Sequence, residues 1–126
     1  MADNRVSSYR DLIVWQKAMD LVDMIYELSR SFPSSEDYRL TSQITRAVVS
    51  VPANIAEGQA RSTRRDFANF LMMAKGSLNE TDTLLTVAVR QGFVTDAATK
   101  PAFILMTEVS KMLTVLRRKL LGTRDA

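Results

Sequence analysis

The chain contains no cysteine and no histidine. Those two absences exclude disulfides, structural zinc sites, thiol nucleophiles, Ser-His-Asp machinery and the His-containing di-iron site of some helical bundles. Only four Gly, three Pro and one Trp occur in 126 residues, which excludes collagen-like, low-complexity and linker-rich architectures. No apolar run approaches the roughly 18 residues that a membrane span needs. Residues 1–11, MADNRVSSYRD, lack the apolar core of a secretory signal. The expectation is a cytoplasmic chain that does not cross a membrane.

What is present is ordinary: 46% hydrophobic and 25% charged residues, enough for one packed core and too little for two. The net charge of +3 is mild, but its distribution is uneven. Residues 1–37 hold four basic and seven acidic side chains, whereas residues 38–126 hold thirteen basic and seven acidic. A basic body behind an acidic first helix favours polyanions, or pairs unlike faces between copies; a solvated mixed surface is the alternative.

Turn-forming residues cluster at 32–35, 58–63 and 91–99. Between them runs 3.6-residue periodicity, with no alternating strand pattern. This predicts an all-α, antiparallel up-and-down four-helix bundle in a single domain, with helices at about 11–31, 36–58, 63–91 and 97–121. In helix 1, Val14, Ala18, Leu21, Ile25, Leu28 and Phe32 form a heptad-like seam, and Leu12, Trp15, Met19, Val22 and Tyr26 form a second apolar stripe beside it. A small bundle buries one broad stripe per helix. The surplus therefore predicts a homo-oligomer with Trp15, Met19, Val22 and Tyr26 at its interface.

Helix 2 is expected to start behind Ser34 and Ser35 as N-caps, to kink rather than break at Pro52, and to end at Gly58. Helix 3 opens on a capping pattern at Thr63 and carries Gly76 in its middle, where close approach by a neighbouring helix is the expected compensation. In helix 4 the seam is Leu105, Val109, Met112, Leu116 and Leu120.

Three polar constellations stand out. Gln43, Arg46, Ser50, Asn54 and Glu57 line one strip of helix 2. With one carboxylate and no base–nucleophile pair the strip is a poor catalytic site, and the expectation is a buried structural network. Arg61, Arg64 and Arg65 surround the start of helix 3, where the dipole already supplies positive charge. The backbone N–H groups there suit a phosphate; the arginines reaching back to Glu57 or Asp66 is the alternative. Lys111, Arg117, Arg118 and Lys119, with Arg124 in the tail, crowd the end of helix 4, where cations also suit the dipole. No P-loop, helix-turn-helix or RNA-binding aromatic signature is present, so no cofactor or metal is expected and any nucleic-acid contact is electrostatic.

Several of these segments together resemble a known family: residues 11–18 with Trp15, Phe32-Pro33, residues 36–40, residues 43–47, the run SVPANIAEG at 50–58, and Gly76-Ser77 with Glu80. The chain resembles the four-helix bundle family of proteins encoded in intervening sequences of bacterial 23S ribosomal RNA genes, which includes the accessory variability protein of diversity-generating retroelements. The resemblance implies a bacterial cytoplasmic homopentamer without enzymatic activity. It further implies that a basic surface meets RNA or DNA and, in the retroelement branch, that a reverse transcriptase is a protein partner. A nucleic-acid-associated oligomer and a structural or adaptor oligomer for a protein partner are the two functions that follow.

Overall fold

The described residues open on a 3₁₀ turn, Tyr9–Asp11, whose N-cap Ser8 accepts a hydrogen bond from the Arg10 amide at 3.0 Å. The structure is a computed structural model and describes residues 8–122. Because that turn uses residues 9–11, α1 (Ile13–Ser29) starts after an extended Leu12. At its far end the Ser29 and Ser31 hydroxyls donate to the carbonyls of Tyr26 and Leu28, satisfying groups that a helix end leaves open.

The next helix begins later than the sequence predicts. After an extended Pro33, residues Ser34–Glu36 form a separate 3₁₀ turn. Arg39, at φ −121° and ψ −104°, then departs from helical geometry, and α2 is Leu40–Gln59. Ser34 and Ser35 therefore do not cap α2; the Glu36 carboxylate, accepting from the Leu40 amide at 3.4 Å, lies at its start. The helix runs unbroken through a buried Pro52. A proline ring removes only its own N–H from the ladder, here the bond to Val48, and no new cap forms at Ser50.

Thr63 caps α3 (Arg64–Arg90) by accepting from the Asp66 amide at 3.1 Å, and Thr95 caps α4 (Asp96–Leu121) by accepting from the Ala98 amide at 3.0 Å. A threonine at this position stabilises a helix by about 1 kcal/mol. At the end of α4, Gly122 takes the left-handed conformation, φ 65°, which glycine adopts without a Cβ penalty.

Each helix packs on its neighbours in sequence, and α4 closes back onto α1; the diagonal pairs do not meet. Lys17 of α1 pairs with Glu108 of α4 at 3.0 Å, and Lys75 of α3 bonds Thr114 of α4. The start of α1 and the start of α3 both lie beside the end of α4, which makes the bundle antiparallel, up and down. Among the described residues no helix is long and apolar enough to cross a membrane.

The core follows the predicted seam in α1 and continues through α2 and α3: Leu21, Ile25, Ile44, Val51, Ile55, Leu71, Leu78 and Leu85 are essentially inaccessible. Each such side chain contributes about 1.5–3 kcal/mol by leaving water. In α4 the buried line is Ala102, Leu105, Met106, Val109 and Leu113, while Met112, Leu116 and Leu120 are half-buried. The helix is thus turned toward α3 relative to the predicted seam.

Gly58 lies in the last turn of α2, one residue before Gln59 and so at the helix end expected for it, and a Cβ there would sit 2.7 Å from Phe70 Cβ and 2.9 Å from Phe67 Cδ1 of α3. Gly76 is exposed with nothing within 4 Å of a Cβ position. The close helix approach is therefore at Gly58, where α2 turns back into α3, and not at Gly76.

Candidate nucleic-acid interface

The antiparallel topology brings four chain segments to one end of the bundle: the start of α1, the end of α2, the start of α3 and the end of α4. Arg61, Arg64 and Arg65 on the α2–α3 side and Arg117, Arg118 and Lys119 on α4 therefore share that end, although more than fifty residues separate them in sequence. Arg10 joins them from the opening turn. The opposite end carries Asp23, Glu27, Glu36, Asp37 and Asp96 with fewer cations. The bundle is thus electrically polar along its axis.

The cations at the basic end differ in how they are held. Arg61 donates to Glu57 Oε2 at 2.7 Å and lies over the Phe70 ring, 4.6 Å from its centroid. Of the three helix-3 arginines it alone reaches back to a carboxylate. Arg64 and Arg65 are exposed in the first turn of α3 and make no ion pair or side-chain hydrogen bond among the described residues. Cations there cost the helix roughly 0.3–1 kcal/mol through the dipole, so helix stability does not account for them. Arg10 stacks against Tyr9 and Trp15 at 5.4 and 5.5 Å.

On α4 the cations divide between two flanks. Lys111 and Lys119 edge an apolar groove formed with Leu12, Ile13, Met112, Val115 and Leu116. Arg117 and Arg118 face α3 and meet Lys75 there. Arg117 Nε is shielded from solvent and has no hydrogen-bond partner among the described residues, an arrangement that costs about 1–3 kcal/mol while it stays unpaired. Arg124 lies outside the described residues. Sequence reasoning missed Lys75 and Arg10. Lys75 was within reach of it: eleven residues, three helical turns, separate it from Arg64, so both project from one face of α3.

Within one chain the helix-2 strip hydrogen-bonds along the helix surface and is not buried between helices. Arg46 is exposed and donates to Ser42 Oγ at 3.0 Å; Ser50 Oγ donates to the Arg46 carbonyl; half-buried Asn54 donates to the Ser50 carbonyl at 2.9 Å. Gln43 and Glu57 are exposed, and Glu57 holds Arg61. Arg46, Ser50 and Asn54 bond along their own helix because Ile44, Val48, Val51 and Ile55 take the inward face and leave the strip on the outer flank.

The apolar stripe of α1 is also placed. Trp15 and Val22 are half-buried against the core, and Trp15 meets Tyr9 edge to face at 5.2 Å. Met19 and Tyr26 are 37% and 45% exposed. On the opposite flank of α1, Ile13 is 58% exposed beside Val115 of α4 at 46%. Helix 1 thus presents uncovered apolar side chains to either side of its buried seam.

These features define an all-α four-helix bundle with one basic end. A model of the family described as 23S rRNA-intervening sequence protein matches residues 10–115, and the chain belongs to that family. Among solved structures it is similar to a protein of unknown function from the S23 ribosomal protein family of Bacteroides thetaiotaomicron. That likeness has a TM-score of 0.77 and 26% identity, covering 84% of this chain and 99% of the other. No curated protein sequence matches this chain.

Proposed function

We propose that this protein is a non-catalytic, cytoplasmic homo-oligomer that associates with nucleic acid through the basic end of its bundle. The observation that carries the reading is the convergence of the α2–α3 arginines and the α4 cations on one end, away from the acidic one. Arg64 and Arg65, exposed and unpaired among the described residues, are available to phosphate. Membership in a family described by 23S rRNA intervening sequences supports an RNA setting.

Oligomerisation is supported by the apolar side chains on both flanks of α1. A closed ring joins two different patches of one subunit, and Met19 with Tyr26 on one side and Ile13 with Val115 on the other supply such a pair. Five is the subunit number that the family resemblance implies. Repetition around a ring turns a modest basic end into a continuous band, and phosphate contacts then add through counterion release.

A structural or adaptor role toward a protein partner, such as a reverse transcriptase, is the second reading. It is favoured by Met72 and Met73, which stand 49% and 55% exposed on α3; flexible thioether side chains suit adaptable protein surfaces. Fluorescence anisotropy of a labelled single-stranded RNA separates the two. The nucleic-acid reading expects binding at ~50 mM salt that falls steeply by ~200 mM. Absence of binding by the intact oligomer at the lower salt refutes it and leaves the adaptor.

A further inference from the structure

We propose that the cleft between α3 and the end of α4 is a discrete phosphate-binding site. The proposal deepens the nucleic-acid reading above and rests on it for the identity of the natural ligand. The cleft has a volume of about 220 Å³, and among the described residues it is lined by three cations, Lys75, Arg117 and Arg118, and by no carboxylate. Its floor is Leu71 and Leu113, both buried.

Two details distinguish this cleft from a surface that is merely basic. Lys75 Nζ donates to Thr114 Oγ1 at 2.7 Å, and that hydroxyl donates in turn to the Ser110 carbonyl at 3.1 Å. The relay fixes the ammonium from one side and leaves two of its three N–H groups for a ligand. Arg117 Nε, buried and without a partner among the described residues, is the kind of polar atom that native structures seldom leave unpaired without a function. A tetrahedral oxyanion in the cleft gives the Lys75 ammonium an acceptor and lies against the Arg117 side chain, whose Nε has to turn out of its shielded position to join in; charge-assisted bonds in a partly desolvated site are the strong ones.

The apolar parts narrow the ligand further. Met72 and Leu121, 49% and 38% exposed, line the same cleft beside the cations. They offer a sugar or base an apolar surface next to its phosphate, so the class is a phosphate ester and not a bare inorganic anion. The source is either a phosphodiester inside a strand or a terminal monoester, and both present the same oxygens.

The test is calorimetric titration of the full-length protein with adenosine 5′-monophosphate and with adenosine, plus anisotropy of one RNA with and without a 5′-phosphate. The monophosphate should bind and adenosine should not. Lys75→Met should weaken the monophosphate and the RNA by about tenfold or more. Arg118→Gln, on the exposed rim, should weaken both, compared at matched helix content and Tm with the wild type. Equal affinity for the two RNAs assigns the site to internal phosphodiesters; preference for the 5′-phosphorylated RNA assigns it to the terminal group. RNA binding with an unchanged salt slope in folded Lys75→Met and Arg118→Gln overturns the cleft and leaves the basic end standing. Monophosphate binding without any RNA binding does the reverse: the cleft holds and the nucleic-acid reading fails. No binding of the monophosphate overturns the cleft outright.

Discussion

Replacing each of two helical glycines by alanine should move stability in opposite directions. In an open helix position alanine is favoured over glycine by about 1 kcal/mol, through lower backbone entropy in the unfolded chain. Gly76 is such a position, with nothing within 4 Å of a Cβ, so Gly76→Ala should stabilise by nearly that amount. Gly58→Ala receives the same gain but places a methyl 2.7 Å from Phe70 Cβ and 3.3 Å from the Phe67 carbonyl oxygen. Phe70 Cβ is fixed directly to the α3 backbone and cannot swing aside, so α2 and α3 must separate. Overpacking of this kind costs about 1–3 kcal/mol, which cancels or outweighs the propensity gain and leaves a net loss of up to about 2 kcal/mol. Urea melts at matched protein concentration measure both, because assembly makes apparent stability depend on concentration. At this chain length each kcal/mol corresponds to roughly 4 °C in Tm. Equal and same-signed shifts for the two variants would refute the assignment of the close contact to Gly58.

Three further outcomes follow from the same structure. Thr63→Ala should lose about 1 kcal/mol in the same melts, because the Asp66 amide loses its cap. Asn54→Ala should cost no more than about 1 kcal/mol, since its side chain is half-buried and makes a single bond to the Ser50 carbonyl; a larger loss points to burial of the strip between copies. The double change Met19→Asp and Tyr26→Asp should convert the proposed oligomer to a species near the 14.2 kDa of one chain by light scattering, with little change in helix content, because both side chains are exposed in the isolated bundle.

The four helices were legible because their signals are local and repeated: apolar seams at 3.6 spacing, a threonine cap before α3, and short turns that force antiparallel neighbours. The late start of α2 was not, because Ser34, Ser35 and Glu36 form a credible helix start whether the following turn is 3₁₀ or α. The close helix approach, expected at Gly76, lies at Gly58 for a related reason. A glycine's spacing in one helix says nothing of which neighbour approaches it, and Phe67 and Phe70 contribute that contact from another element. The two arginine-rich clusters were each visible, but their convergence on one end is a property of topology. Lys75 acquires its meaning only from Thr114 and Arg117 across the α3–α4 interface. The helix-2 strip was visible as a strip; its outward orientation depended on how α2 rolls against α3.

The account's central claim is that one end of the bundle, and not its overall charge, meets the polyanion. Two triple variants with the same change in net charge test it: Arg64, Arg65 and Lys119 to Gln at the basic end, and Arg39, Arg90 and Lys100 to Gln at the opposite end. All six side chains are exposed. The measurement is the dependence of log affinity for a labelled single-stranded RNA on log salt concentration. The basic-end variant should lose roughly 2 units of slope, the share of three phosphate contacts on a single strand, while the opposite-end variant keeps the wild-type slope. Equal flattening by both variants would contradict the claim and reduce the attraction to net charge alone.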